Sequence, residues 1–183
     1  TYLCAAAASG GRITLDGVDY RHLATVTTAL HQAGCHLQCG KNTITLKSEG
    51  RLRAVAPVRT SPYPGFPTDA QAPLMAALLC STGTTMFVEN MFESRYRHVP
   101  ELMRMGADIR LEGRVAVICG VPKLHGAIVH TADLRGGAAL VIAALQTCSG
   151  STQIHDIHHI QRGYQDIAGD LTALGASIHT ADV

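Results

Sequence analysis

Apolar and polar positions along the chain fall into a pattern that recurs three times. Each copy opens with a run of small apolar residues, stops at serine and glycine, and continues into a short alternating strand. The runs are Ala5–Ala8, Met75–Leu79 and Ala138–Ile142, and the strands lie at Arg12–Leu15, Met86–Val88 and Gln153–Ile154. A second helix then shows apolar steps of three and four: Leu23, Val26 and Leu30; Val99, Leu102 and Met103; Ile167, Leu171 and Leu174. Such a stripe faces a core. The helices are expected near 20–33, 95–105 and 163–174, each closed by a glycine (Gly34, Gly106, Gly175) suited to a left-handed stop. The glycines before and after each strand–helix pair are 24, 23 and 25 positions apart.

Alternation around a glycine turn predicts a hairpin over 107–117 and another over 35–46 around Gly40-Lys41-Asn42. A third hairpin stops short: Ser177–Thr180 reads as a strand without a partner, and the first copy lacks a strand before its alanine-rich helix. Both gaps lead us to expect that upstream sequence closes the domain. The expected fold class is α/β, one domain of three repeated α/β units (about 1–58, 59–122 and 123–183) with a helical interior and sheets outside.

Composition narrows the function. Only 16% of the 183 residues are charged, against about 25% in typical soluble proteins, and the net charge is +1. Counterion-driven nucleic-acid binding is therefore not expected. No apolar run approaches the ~20 residues that span a bilayer, no secretory signal opens the chain, and a cytoplasmic protein is expected. Thr1 in place of an initiator methionine points to a processed piece. Most of the six cysteines sit in apolar runs and read as reduced thiols. Ten histidines lack the spacing of a metal motif, and no phosphate loop, dinucleotide fingerprint or hydrolase elbow occurs, so neither metal nor cofactor is expected.

Candidate chemistry gathers at helix starts. The Pro/Gly-rich segment 60–71, TSPYPGFPTDAQ, delivers Asp69 to a helix, and Asp133 in TADLRGG occupies the matching place in the third unit. Spacing alone leaves two readings open: a cap satisfying an orphan amide, or a catalytic carboxylate. Arg135 beside Gly136-Gly137 is either an anion site built from a guanidinium and free amides or a surface arginine. Arg162 and the loop around Met91, Phe92 and Arg95 form a second basic, partly aromatic edge.

At TSPYPGFPTDAQ, FESRYRHVPELMRMGADI (92–109), GVPKLHGAIVHTADLRGGAALV (120–141) and HHIQRGYQDI (158–167), the chain resembles the UDP-N-acetylglucosamine 1-carboxyvinyltransferase family over essentially its full length. The resemblance implies an inside-out α/β barrel of three repeated units, facing a second domain across the active site, with this chain as the C-terminal portion. It implies transfer of the enolpyruvyl group of phosphoenolpyruvate to the 3′-hydroxyl of UDP-N-acetylglucosamine, the first committed step of peptidoglycan synthesis. Asp69 matches a sugar-binding aspartate thought to take the hydroxyl proton, and Asp133 an active-site aspartate. Met91 and Phe92 match the UDP-sugar contact, and Arg135 and Arg162 match arginines facing phosphoenolpyruvate.

Three places depart from the family pattern: Gln161 and Gln165 replace acids, Gly136-Gly137 replaces a small pair, and Pro73 is tolerable only in a first turn. The family's Lys-Asn pair, reactive loop cysteine and most uridine contacts have no counterpart, so no catalytic cysteine is assigned and the isolated chain is expected to be inactive without its N-terminal domain. The shikimate-branch enolpyruvyl transferase and a non-catalytic binding module of the same fold are the alternatives.

Overall fold

The computed structural model describes residues 1–181. The first third runs α1 (Tyr2–Ser9), β1 (Arg12–Asp16), a 3-10 turn (Tyr20–Leu23), α2 (Ala24–Gln32), β2 (His36–Cys39) and β3 (Thr43–Lys47). The middle runs β4 (Val58–Arg59), α3 (Thr68–Ala77), β5 (Thr84–Val88), α4 (Val99–Arg104), β6 (Asp108–Glu112) and β7 (Val115–Cys119). The last third has β8 (Ile128–His130), α5 (Leu134–Ala144), β9 (Gln153–His155), α6 (His158–Gln161) and α7 (Ile167–Ala173).

The three helices rich in small residues form the interior. Helix α3 packs on α5 and on α1, and α1 also meets α5. Leu74, Met75, Leu140 and Ile142 are completely buried, as are Ala76, Ala138 and Ala139 between them. Alanines at these positions let the helix backbones approach while the larger residues interdigitate. Gly137 allows a close approach, because a Cβ there would lie 2.6 Å from Ile160 Cγ1 of α6.

Sheets lie outside these helices. The first has the order β1-β3-β2, the second β4-β5-β7-β6 and the third β8-β9. In the second sheet β4 runs parallel to β5, and β7 is antiparallel to both β5 and β6. The first sheet is antiparallel and the third a parallel pair, so among the described residues β1 lacks a parallel neighbour and β9 lacks a following hairpin. The six glycines that close the helices all adopt positive φ, from 75° to 107°.

Two connections between successive thirds are built alike. In one, Arg53 N–H donates to Ala33 O and Ala54 N–H to Thr82 O; in the other, His125 N–H donates to Met105 O and Gly126 N–H to Ser149 O. Each carries a buried leucine, Leu52 and Leu124, between two helix ends.

Several local expectations need correction. The helix expected at 95–105 is only Val99–Arg104, because Pro100 has no N–H to extend a helix and fits its first turn. The helix expected at 163–174 starts later, at Ile167, where Asp166 caps it by accepting from Gly169 N–H at 2.8 Å. Ser177–Thr180 is not a strand, since a ladder needs a hydrogen-bonded neighbour and none is present among the described residues. Pro73 is the sixth residue of α3, beyond its first turn, so the Asp69 carbonyl loses its intrahelical donor while the helix continues to Ala77. No helix is long and apolar enough to cross a membrane among the described residues.

The packing predicts that Leu140→Ala destabilises the fold by about 2–5 kcal/mol, because the buried site cannot collapse fully. Leu111→Ala, on an exposed position of β6, should stay within about 0.5 kcal/mol. Denaturant unfolding of the two variants checks both values.

Candidate active site

The segment between β4 and α3 turns through the cis Tyr63–Pro64 bond and ends at Pro67, the residue before the helix. Asp69 is the second residue of α3, exposed, and accepts no amide hydrogen bond from the helix start. The capping reading is therefore excluded for Asp69. Its carboxylate instead holds two guanidiniums: Arg95 Nη2 donates to Oδ1, and Arg135 Nη2 donates to Oδ2 at 3.0 Å. Arg95 comes from the loop after β5, and Arg135 is the second residue of α5. Residues at equivalent places on two interior helices thus meet with opposite charge.

Asp133 behaves differently. It is the N-cap of α5, with Oδ1 accepting from Gly136 N–H at 2.8 Å, so it sits two positions earlier on its helix than Asp69 does on α3. Gly137 N–H donates to Asp133 O. The amides expected to be free for an anion at Gly136-Gly137 are consequently occupied. The glycines serve close packing instead: a Cβ at Gly136 would come within 3.0 Å of His98 Cβ.

Arg135 extends the network through Nη1 to Tyr164 Oη at 3.2 Å, and Tyr164 in turn meets Thr1 Oγ1. One chain of contacts therefore joins Asp69, Arg135, Tyr164 and Thr1 across all three parts of the fold. The Nε atoms of Arg95 and Arg135 are buried and without a partner among the described residues. The Nη2 atoms that hold the half-exposed carboxylate suit an anionic ligand that takes over the guanidiniums. Arg162, exposed at the end of α6, has no ion-pair partner among the described residues; it lies two positions after Ile160, which packs against Gly137 of α5.

Partial burial alone would push the Asp69 carboxyl up, but Arg135 and Arg95 outweigh it and hold it below the usual carboxylate range. In this state Asp69 is a firmly ionised acceptor and a weak base.

Met91 and Phe92 are exposed at the tip of the loop after β5, and Arg95 lies over the Phe92 ring, 5.4 Å from its centroid. The loop is fixed from beneath by Glu89, which has no place among the residues singled out from the sequence although it directly follows an alternating strand. Arg95 as a direct partner of Asp69 was also missed; the signal for it was the loop's correspondence to the segment carrying Arg162. His98 is buried against this region, 6.4 Å between its ring centroid and that of Tyr96, with neither ring nitrogen hydrogen-bonded by a side chain or backbone group within bonding geometry among the described residues. Burial lowers its pKa to about 4, against the opposing negative charge of Asp133.

Comparison with known proteins gives a consistent picture. The family model described as EPSP synthase (3-phosphoshikimate 1-carboxyvinyltransferase) matches residues 1–171. The UDP-N-acetylglucosamine 1-carboxyvinyltransferase of Clostridium botulinum is 46% identical over 97% of this chain and 42% of its own length. That of Zymomonas mobilis is 44% identical over 97% and 41%. Among solved structures, the enolpyruvyl transferase NikO from Streptomyces tendae matches with a TM-score of 0.85 at 28% identity, over 97% of this chain and 42% of that one. An EPSP synthase from Acinetobacter baumannii matches at 0.75 and 18% identity, over 99% and 45%, a likeness of fold. The chain spans about two fifths of the length of the curated relatives it matches.

A neutral buried His98 predicts a specific pH dependence. The unfolded imidazole titrates near 6.5 and the folded one near 4, so the unfolded state binds more protons between these values. Stability is full above pH ~6.5 and falls as the pH drops toward ~4, by on the order of 3 kcal/mol. Denaturant midpoints measured across that window should fall less steeply for His98→Gln than for the native chain.

Proposed function

The chain belongs to the EPSP synthase family, and on that premise we propose that it is the C-terminal portion of a UDP-N-acetylglucosamine 1-carboxyvinyltransferase. The complete enzyme transfers the enolpyruvyl group of phosphoenolpyruvate to the 3′-hydroxyl of UDP-N-acetylglucosamine in the cytoplasm, at the entry to peptidoglycan synthesis. The observation that carries this reading is the carboxylate of Asp69 held at the mouth of an interior helix by two arginines from separate segments. The identity of 44–46% to enzymes of that name over 97% of the chain favours this acceptor over 3-phosphoshikimate. The family model carries the 3-phosphoshikimate description, which keeps that acceptor as the second reading.

In this reading Arg135 and Arg162 face phosphoenolpyruvate, and Met91 and Phe92 contact the UDP-sugar. Arrival of the anionic substrate draws the guanidiniums away from Asp69. Its basicity then rises, since loss of nearby positive charge disfavours the ionised form. A carboxylate released at that moment, within reach of the sugar 3′-hydroxyl, accepts its proton as the oxygen bonds to C2 of the enolpyruvyl group. C3 takes a proton from a general acid of the facing domain, giving a tetrahedral adduct. Loss of a C3 proton to a base and cleavage of the C2–O bond to phosphate then restore the double bond and yield the enol ether. Asp133 contributes by fixing the first turn of α5, and with it the direction of Arg135.

The remainder of the longer protein completes both the domain and the site. A cavity of about 430 Å³ lies between the ends of α1 and α7, lined by Ala5, Ser9, Gly11, Leu171, Leu174 and Gly175. It occupies the third place equivalent to those filled by Leu52 and Leu124. A second cavity, about 460 Å³, separates β9 from 178–181, where β7 stands in the middle sheet. In this reading the chain is one domain of three units, about 1–58, 59–122 and 123–183, and an extended segment from outside them fills these cavities and closes it. A facing domain supplies the other catalytic groups.

Turnover followed by phosphate release tests the proposal. In the complete protein, Asp69→Ala should lower kcat by about 10²–10⁴-fold, the range for loss of a positioned acid–base group. A near-native rate would remove Asp69 from the chemistry. The 183-residue chain alone should release no phosphate, and measurable transfer by it would contradict the need for a second domain.

A further inference from the structure

We infer that Glu89 is a positioning residue for the UDP-sugar half of the site, resting on the function proposed above: its buried carboxylate locks the loop carrying Met91, Phe92 and Arg95 onto the start of the helix carrying Asp69. Glu89 is 1% exposed. A carboxylate taken from water must recover its lost hydration from other donors or partners. No Lys, Arg or His forms an ion pair with it among the described residues. Four neutral donors converge on it instead. Thr60 Oγ1 and the amides of Met91 and Phe92 donate to Oε1 at 2.9, 2.8 and 3.1 Å, and Thr68 Oγ1 donates to Oε2 at 2.9 Å.

These donors come from three segments that the chain brings together only here. Thr60 follows β4 and begins the loop that leads to α3, and its Oγ1 also accepts from Asn90 N–H at 2.8 Å. Thr68 is the first residue of α3 and the immediate neighbour of Asp69. Met91 and Phe92 are exposed apolar side chains whose backbone is held from below. The upper side of the same assembly is the Arg95–Asp69 pair with Arg95 over Phe92. The loop and the helix start are thus joined twice, once by an exposed pair that ligand can open and once by a buried carboxylate that ligand does not reach. When substrate takes the arginines from Asp69, Glu89 is what keeps Met91, Phe92 and Asp69 in register.

A carboxylate accepts from all four donors. Glutamine keeps its oxygen on Thr60 and the two amides only by turning NH₂ to Thr68 Oγ1, reversing that hydrogen bond and losing the charge that strengthens the other three. Glu89 touches neither substrate in this arrangement, so its effect should fall on binding of the sugar. Phosphoenolpyruvate is faced chiefly by Arg135 and Arg162 on other elements, so only the Arg95 share of its binding rides on this loop.

The test uses the complete enzyme. Glu89→Gln should raise KM for UDP-N-acetylglucosamine by about tenfold or more, the effect of one lost charged hydrogen bond, with KM for phosphoenolpyruvate within about threefold of native. Thr68→Ser, which keeps the hydroxyl, should behave as native, and Thr68→Val should move the sugar KM in the direction of Glu89→Gln. An unchanged sugar KM in Glu89→Gln, or an equal rise in both KM values, would overturn the assignment. Amide hydrogen exchange supplies a readout independent of the reaction: Met91 and Phe92 should exchange about tenfold faster or more in Glu89→Gln, and faster also in Thr68→Val. Unchanged protection would overturn the role of Glu89. If the native enzyme shows no transfer to the sugar, the functional reading fails and exchange alone decides whether Glu89 fixes the loop. If Glu89→Gln does not fold, the Thr68 pair decides by the same two measurements.

Discussion

A single carboxylate shared by two guanidiniums sets the geometry on which the candidate site depends. Asp69 is far in sequence from Arg135, and the two meet because α3 and α5 pack directly against one another. That packing needs small residues. Ala76, Ala138 and Ala139 bring the backbones together, Gly137 admits Ile160 closer than a Cβ would permit, and Gly136 leaves tight room for His98. The interior of the fold is therefore the device that places an acid and a base at one end of adjacent helices. Exposed ion pairs contribute little to stability, so the value of this one lies in position rather than energy.

The same arrangement explains why charge is distributed as it is. The firmly ionised state of Asp69 depends on Arg135 and Arg95, and both arginines have a buried Nε without a partner among the described residues. On the function proposed above, an anion that takes the Nη2 atoms from Asp69 loosens the carboxylate. Beneath, Glu89 takes the opposite role, since its four partners are neutral and internal. One carboxylate is poised to exchange partners, and the other is held so that the exchange does not disturb the loop.

Much of the architecture was legible in the chain, for identifiable reasons. Repeated small-residue runs marked α1, α3 and α5, and constant glycine spacing marked the helix ends, because both features answer local backbone and packing demands. Where a neighbour decides the outcome, the sequence was less informative. Ser177–Thr180 alternates like a strand yet forms none without a partner, and the helix expected from residue 163 waits for the cap at Asp166. Asp69 and Asp133 look equivalent in sequence, but a two-position offset makes one a cap and leaves the other free to bind arginines. Glu89 was passed over because a glutamate at a strand end is normally solvated, and only the fold shows Thr60, Thr68 and two amides closing around it.

The account's central claim is that this site, completed by the rest of the protein, serves a UDP-sugar acceptor. Its most direct test offers the complete enzyme phosphoenolpyruvate with UDP-N-acetylglucosamine or with 3-phosphoshikimate, and measures phosphate released with each. Release with the UDP-sugar and none with 3-phosphoshikimate is the predicted result. Release with 3-phosphoshikimate alone would contradict the assignment.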